Sequence, residues 1–158
     1  MSVINSELEV SSSLSADKLF KLFHDFDTLA PKLEPQNYKA INLLEGDGGV
    51  GSIKSTTYGD AVPFTSAKHK IDAIDASNFS VTYTVFEGDA LMGILDSATH
   101  HIKFVPSADG GVVFKDSVVF KGKGDAKPTE EALNQFKELL TNTFKTLEAY
   151  AIAHPEAY

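Results

Sequence analysis

Gly46-Asp47-Gly48-Gly49-Val50-Gly51, followed by Ser52-Ile53-Lys54-Ser55-Thr56-Thr57-Tyr58, decides between two kinds of fold. The first six residues spell G-x-G-x-x-G, the spacing of a dinucleotide-binding turn. That reading requires a helix after the turn, because the helix N-terminus holds the pyrophosphate. Residues 52–58 are instead rich in β-branched side chains and carry no helical stripe. A P-loop fails as well: Gly46 and Gly51 are correctly spaced, but Ser52 stands where the phosphate-binding lysine belongs. The stretch reads as a glycine-rich hairpin loop between two strands. Gly46, Gly48, Gly49 and Gly51 permit positive φ, and with Asp47 they leave free amides for at most a weak anion contact.

Outward from this loop the texture stays β. Strands are expected at 38–44, 52–58, 64–74, 79–86, 97–105 and 112–121, separated by turn signals around Gly59, Asn78, Gly88 and Gly110. An alternating run at 3–10 adds a strand at the start. Short connections between neighbours make an antiparallel meander. Leu19, Leu22, Phe23 and Phe26 recur at helical spacing after Ser15, and Pro31 and Pro35 bracket a second short helical turn. From Pro128 to Tyr150, Leu133, Phe136, Leu139, Leu140, Phe144 and Leu147 fall three and four apart. Pro128 suits the first turn of this helix and Pro155 stops it. At about 1.5 Å per residue it runs about 38 Å. Seven strands and one long helix imply an α+β fold, the helix laid across one curved sheet.

The chain has 158 residues, expected as one domain over 1–158. Hydrophobic residues are 42% and charged residues 23%, the balance of a globular protein and not of a disordered one. There is no cysteine, which excludes disulfides, thiol catalysis and cysteine-ligated metals. The net charge is −8, and every basic residue is lysine. Without arginine the chain lacks the forked donor that reads guanine edges, so DNA is not an expected partner, and the negative charge disfavours RNA. No run approaches the roughly 20 apolar residues of a membrane span. The N-terminal stretch has early acids and no apolar core of a signal peptide, so a cytoplasmic location is expected.

Three segments taken together resemble the plant pathogenesis-related class-10 family, the group of the major birch pollen allergen. They are Glu45 to Lys54, the tetrad Phe86-Glu87-Gly88-Asp89, and Glu148-Ala149-Tyr150-Ala151-Ile152-Ala153-His154-Pro155. Leu19-Phe20-Lys21 and Pro31-Lys32 match too, so the resemblance covers the whole chain in order. It implies a helix-grip fold: a seven-stranded antiparallel sheet wrapped around a long C-terminal helix, with two short helices beneath and a large apolar cavity between.

Alternation then assigns the lining of that cavity, since one inward residue settles its strand. Tyr83 matches a cavity tyrosine of the family, which brings Val81 and Val85 inward with it. Neighbouring strands offer Ala67 and His69, then Ala98, His100, Ile102 and Phe104. Lys54, Thr56 and Tyr58 come from the third strand, and Tyr38 and Ala40 from the second. The long helix offers Phe136, Leu139 and Leu140, and Leu22, Phe23 and Phe26 supply the floor. Apolar walls with a few polar heads suit a small hydrophobic guest. The resemblance therefore implies binding, storage or transport of small plant metabolites or hormones of flavonoid, cytokinin, sterol or alkaloid type, by a defence-related monomer with no cofactor and no metal.

Two enzymatic alternatives come with the family. Ribonuclease activity is attributed to some members, and the residues proposed there fall on Lys54, Glu148 and Tyr150. Glu148 and Tyr150 stand about 200° apart on one helix and share no face. Other members run cyclisation, condensation or isomerisation in the cavity, for which His69, His100, Lys54 and Tyr83 are the acid–base candidates. No inward carboxylate is evident beside them. His100 and His101 are strand neighbours, so they point to opposite faces and cannot share a metal. Hormone-receptor members use a gate loop and a partner phosphatase, and their gate and latch sequences are not recognised in this chain.

Overall fold

Alternation carries more of the chain into strands than into helices, and the computed structural model describes residues 1–158. The order is β1 (Ser2–Ser12), α1 (Ala16–His24), α2 (Phe26–Leu33), β2 (Tyr38–Glu45), β3 (Ile53–Tyr58), β4 (Ser66–Asp75), β5 (Ser80–Glu87), β6 (Leu95–Pro106), β7 (Val112–Gly122) and α3 (Glu130–Ala153). All seven strands join one antiparallel sheet, ordered β1-β7-β6-β5-β4-β3-β2. β2 to β7 form the expected meander, and β1 adds beside β7. The two edges are thus β1 and β2, and α1 and α2 carry the chain from one to the other. α3, about 36 Å long, packs on the inner face.

Register shifts at Tyr38/Ala40, Leu43/Glu45, Lys68/His69, Ile71/Ala73 and Leu95/Ser97 bend the sheet around the helix. The first corrects one inward assignment. Ala40 pairs with exposed Thr57 on the outer face, and Ile41 takes the inner place opposite buried Thr56. An extra residue in one strand flips every side chain beyond it.

The first helix is shorter than its apolar stripe implies. It ends at His24, and the N–H of Asp25 bonds back to the carbonyls of Lys21 and Leu22. Phe26 therefore opens α2, where its ring stacks on Phe23 at 5.8 Å. Pro31 lies inside α2 and does not bracket it, which removes one hydrogen bond from an eight-residue helix. At α3, Thr129 is the cap: its hydroxyl accepts the N–H of Ala132 at 3.1 Å. Pro128 stands just outside the helix, not in its first turn.

The helix meets the sheet solidly at two places. At one end Val10, Leu19, Leu22, Phe104, Phe114, Phe144 and Leu147 form a closed core. Phe114 stacks on Phe144 at 5.1 Å and on Phe23 at 5.4 Å. At the other end Leu91, Leu95, Ala98, Val118 and Phe120 form a smaller core, with Met92 and Leu133 against it.

Candidate functional site

Between these two cores the inner face is not filled. Lys54, Tyr58, His69, Val81, Tyr83, Val85 and His100 on the sheet, and Phe136, Leu139 and Leu140 on α3, all keep part of their surface open to a water-sized volume. These are inward positions, where a solid core leaves nothing open. Tyr83 is the clearest case. Protein surrounds it so fully that burial pushes its phenol well above the ordinary range, yet part of its surface stays open. Its hydroxyl has no partner in the protein, and no buried side-chain oxygen or nitrogen in the chain is sealed without one. The hydroxyl therefore faces a hollow.

A row of polar side chains crosses the floor of this hollow, one from each successive strand. Lys54 of β3 lies opposite His69 of β4. The His69 ring lies 5.0 Å from Tyr83 of β5, and Tyr83 lies parallel to His100 of β6 at 4.8 Å, the planes 7° apart. His100 Nδ1 bonds to the carboxylate of Asp116 in β7, at 3.0 and 3.2 Å to its two oxygens. Burial, helped by the nearby Lys54 charge, pulls His69 down to about 4, so it is neutral at pH 7. Burial also holds the Tyr58 phenol above its usual range.

Three acidic groups bear on this interior that motif reading left out. Asp27 of α2 binds Lys54 Nζ at 2.6 Å, so the expected cationic head is already paired. Glu34, 6% exposed, accepts the hydroxyls of Thr143 at 2.7 Å and Thr146 at 2.9 Å. Asp116, 1% exposed, is an inward carboxylate that is not evident from the sequence motifs. Its signal was present: Val112, Phe114, Asp116, Val118 and Phe120 alternate on one face of β7, and four of the five are apolar.

Other expected residues stand elsewhere. Leu22 is fully closed and Ile102 nearly so, both within the solid core. Phe23 packs among Phe26, Phe104, Phe114 and Phe144. Leu22 and Ile102 belong to packing beneath the hollow, Leu22 pressed by α1 onto the β6–β7 end of the sheet and Ile102 part of β6 itself, while Phe23 stays half-buried against the same core. Tyr38 is also closed, its hydroxyl 3.3 Å from Thr143 Oγ1 and its phenol pushed up to about 12 by burial. Lys54, Glu148 and Tyr150 do not meet: Lys54 binds Asp27, Glu148 faces Lys145 at 3.8 Å, and Tyr150 stacks on His154 at 4.1 Å. His101 points outward to Thr82, away from His100, as strand geometry requires.

The glycine loop closes on itself. Gly48 N–H donates to Ser52 Oγ at 2.8 Å, Gly49 N–H to Asp47 at 2.9 Å, and Gly51 N–H to the Ile71 carbonyl at 2.8 Å. A Cβ at Gly46, where φ is +88°, would collide with Ser52. Glycine is needed here for a tight turn, and most of the amides that would cradle an anion are occupied.

The β3–β4 loop borders an opening between the sheet and α3. A pocket of about 200 Å³ opens there, bordered by Pro63, Phe64, Met92 and, from α3, Phe136 and Leu139. It is narrower than the large cavity that the resemblance implies. The carboxylate of Asp89 pins the loop, accepting the N–H groups of Thr65 and Ser66, each at 2.8 Å. Gly88 permits this approach: its φ is +113°, and a Cβ there would strike the Ser66 backbone. No helix of the protein is long and apolar enough to cross a membrane.

The whole chain has relatives. Residues 1–154 match the family model described as the pathogenesis-related protein Bet v 1 family. A root allergen protein of Taraxacum officinale is 63% identical over 153 residues, covering 96% of this chain and 98% of its own. Pathogenesis-related protein B of Petroselinum crispum is 45% identical, covering 98% and 100%. Among solved structures, Ara h 8.0201 superposes with a TM-score of 0.85 at 35% identity, over 96% of this chain and 99% of that one. Norcoclaurine synthase from Thalictrum flavum, in complex with dopamine and hydroxybenzaldehyde, shares the fold at a TM-score of 0.70 and 23% identity, over 97% and 87%.

Proposed function

Because the chain belongs to the pathogenesis-related protein Bet v 1 family, we propose that it binds small, flat, hydrophobic plant metabolites in the hollow between α3 and the sheet. In this reading residues 1–158 act as one domain, a monomeric, defence-related carrier or store in the cytoplasm, with no nucleic acid or membrane as partner. The observation that carries the reading is Tyr83: surrounded by protein, unpartnered at its hydroxyl, and still partly open. Phe136, Leu139, Leu140 and Val85 supply apolar wall. Tyr58, His69, Tyr83 and His100 supply sparse polar heads, the pattern of a pocket that orients a guest without demanding one shape.

Affinity follows from size. A guest of about 20 heavy atoms at about −0.3 kcal/mol per atom gains about −6 kcal/mol, a Kd in the tens of micromolar. Binding at that strength is promiscuous. Displacement of a hydrophobic fluorophore by flavonoids, cytokinins and sterols tests it. The expected result is competition in the micromolar range by several classes; no displacement below about 1 mM by any of them would overturn the reading.

A further inference from the structure

We propose that His100 is a Brønsted base within this hollow, positioned by Asp116, that takes a proton from a flat apolar carbon acid whose developing negative charge falls on an oxygen beside Tyr83. The inference deepens the reading above, since it rests on the hollow admitting such a guest.

Asp116 is closed to solvent, and His100 is its only hydrogen-bond partner. A carboxylate accepts and does not donate, so Nδ1 of His100 carries the hydrogen. In the neutral ring the lone pair is then on Nε2. Nε2 has no partner in the protein and is not sealed, so it opens on the hollow. The parallel Tyr83 ring holds one face of the imidazole at 4.8 Å. A negative carboxylate behind the ring stabilises the imidazolium that forms when Nε2 takes a proton. Tyr83, kept protonated by burial, offers an O–H donor alongside.

The other nitrogen bases of the hollow are poorer. Lys54 is tied to Asp27. His69 lies against Tyr83 with no acidic partner of its own, and its basicity is depressed by burial. Facing His100 are Asp116 from β7, Tyr83 from β5 and His69 from β4.

5-Nitrobenzisoxazole is a suitable probe: small, flat, apolar, and dependent on one base. Its C3 proton passes to Nε2 and the C–H electron pair forms the nitrile. The N–O bond breaks, and its pair stays on the phenolate oxygen, which accepts from Tyr83. His100 then returns the proton to water, and no external oxidant or reductant is consumed. An enolisable hydrophobic ketone would use the same two groups.

Nitrophenolate release by the intact chain is expected to saturate with probe and to exceed an equal concentration of free imidazole by about 100-fold. His100→Gln should lose at least about tenfold, while His101→Gln on the outer face keeps the rate. Asp116→Asn should move the acid limb of the rate–pH profile to lower pH, which loss of packing alone would not do. Should His100→Gln fail to fold, the unsubstituted chain decides: the midpoint of its rate–pH profile must match the NMR titration of the His100 ring. Probe binding is measured separately by saturation-transfer NMR. Saturable binding with no elimination dependent on His100 overturns this proposal and leaves the hollow intact, whereas no binding overturns both.

Discussion

Phe64 lies against Phe136 of α3 with ring centroids 5.3 Å apart and planes 26° apart, and it meets the Tyr58 ring edge-on at 4.8 Å. One loop side chain thus stands between the pocket at the β3–β4 loop and the inward ring of Tyr58. Each aromatic pair contributes about 0.5–1.5 kcal/mol. Phe64→Ala is expected to speed both entry and exit of a fluorescent guest about tenfold while changing its Kd by less. Asp89→Ala should act in the same direction by freeing the loop. Stopped-flow mixing reads both rates; identical kinetics in all three proteins would refute the assignment.

Glu34 is a buried carboxylate held by hydroxyls alone. Thr143 and Thr146 donate to it from α3, and Tyr38 adjoins Thr143. Glu34→Ala strands Thr143 without its acceptor and should cost on the order of 1–3 kcal/mol. Tyr38→Phe removes only the outer link and should cost about 1 kcal/mol or less. Urea unfolding of the two variants gives the order.

His69 makes stability depend on acid. Its folded value of about 4 lies below the usual 6.5, so below pH 6.5 the unfolded chain binds a proton that the folded chain refuses. Stability therefore falls between pH 6.5 and 4, by on the order of 3 kcal/mol at the lower limit, and above pH 6.5 this residue adds no slope. His69→Gln should flatten that segment. Unfolding curves at pH 7 and pH 4.5 for both proteins test it, and equal acid sensitivity would count against the burial of His69.

Lys54 carries its charge into the interior but spends it on Asp27 at 2.6 Å. Asp27→Ala should release the ammonium to a guest, raising affinity for an anionic fluorophore about tenfold with little effect on a neutral one of similar size. Lys54→Met should erase that preference. Titrating the two dyes against each variant reads the ratio directly.

Much of the architecture was legible along the chain because its signals are local. The helical stripe of α3, the alternation in β6 and β7, and a glycine loop followed by β-branched residues each depend on near neighbours. The site was legible in part. Once the family resemblance sets Tyr83 inward, His69 and His100 follow by alternation, and Asp116 follows by the same rule once β7 is read residue by residue. Leu22 carries the same apolar signature as a cavity wall, so nothing near it in sequence says that α1 buries it in solid packing.

By itself the order of residues determined which segments become strand or helix, because propensity and periodicity act over a few residues. It also determined which side chains share a strand face between bulges. Tertiary structure alone decided that Asp116 of β7 reaches His100 of neighbouring β6, that Asp27 neutralises Lys54, and that Ile41 displaces Ala40. Those outcomes depend on bulges and on the docking of α1, α2 and α3, which set distances between residues far apart in the chain. The openness of the hollow belongs to the same class: it exists because the helix rests on two aromatic and aliphatic cores and spans the gap between them.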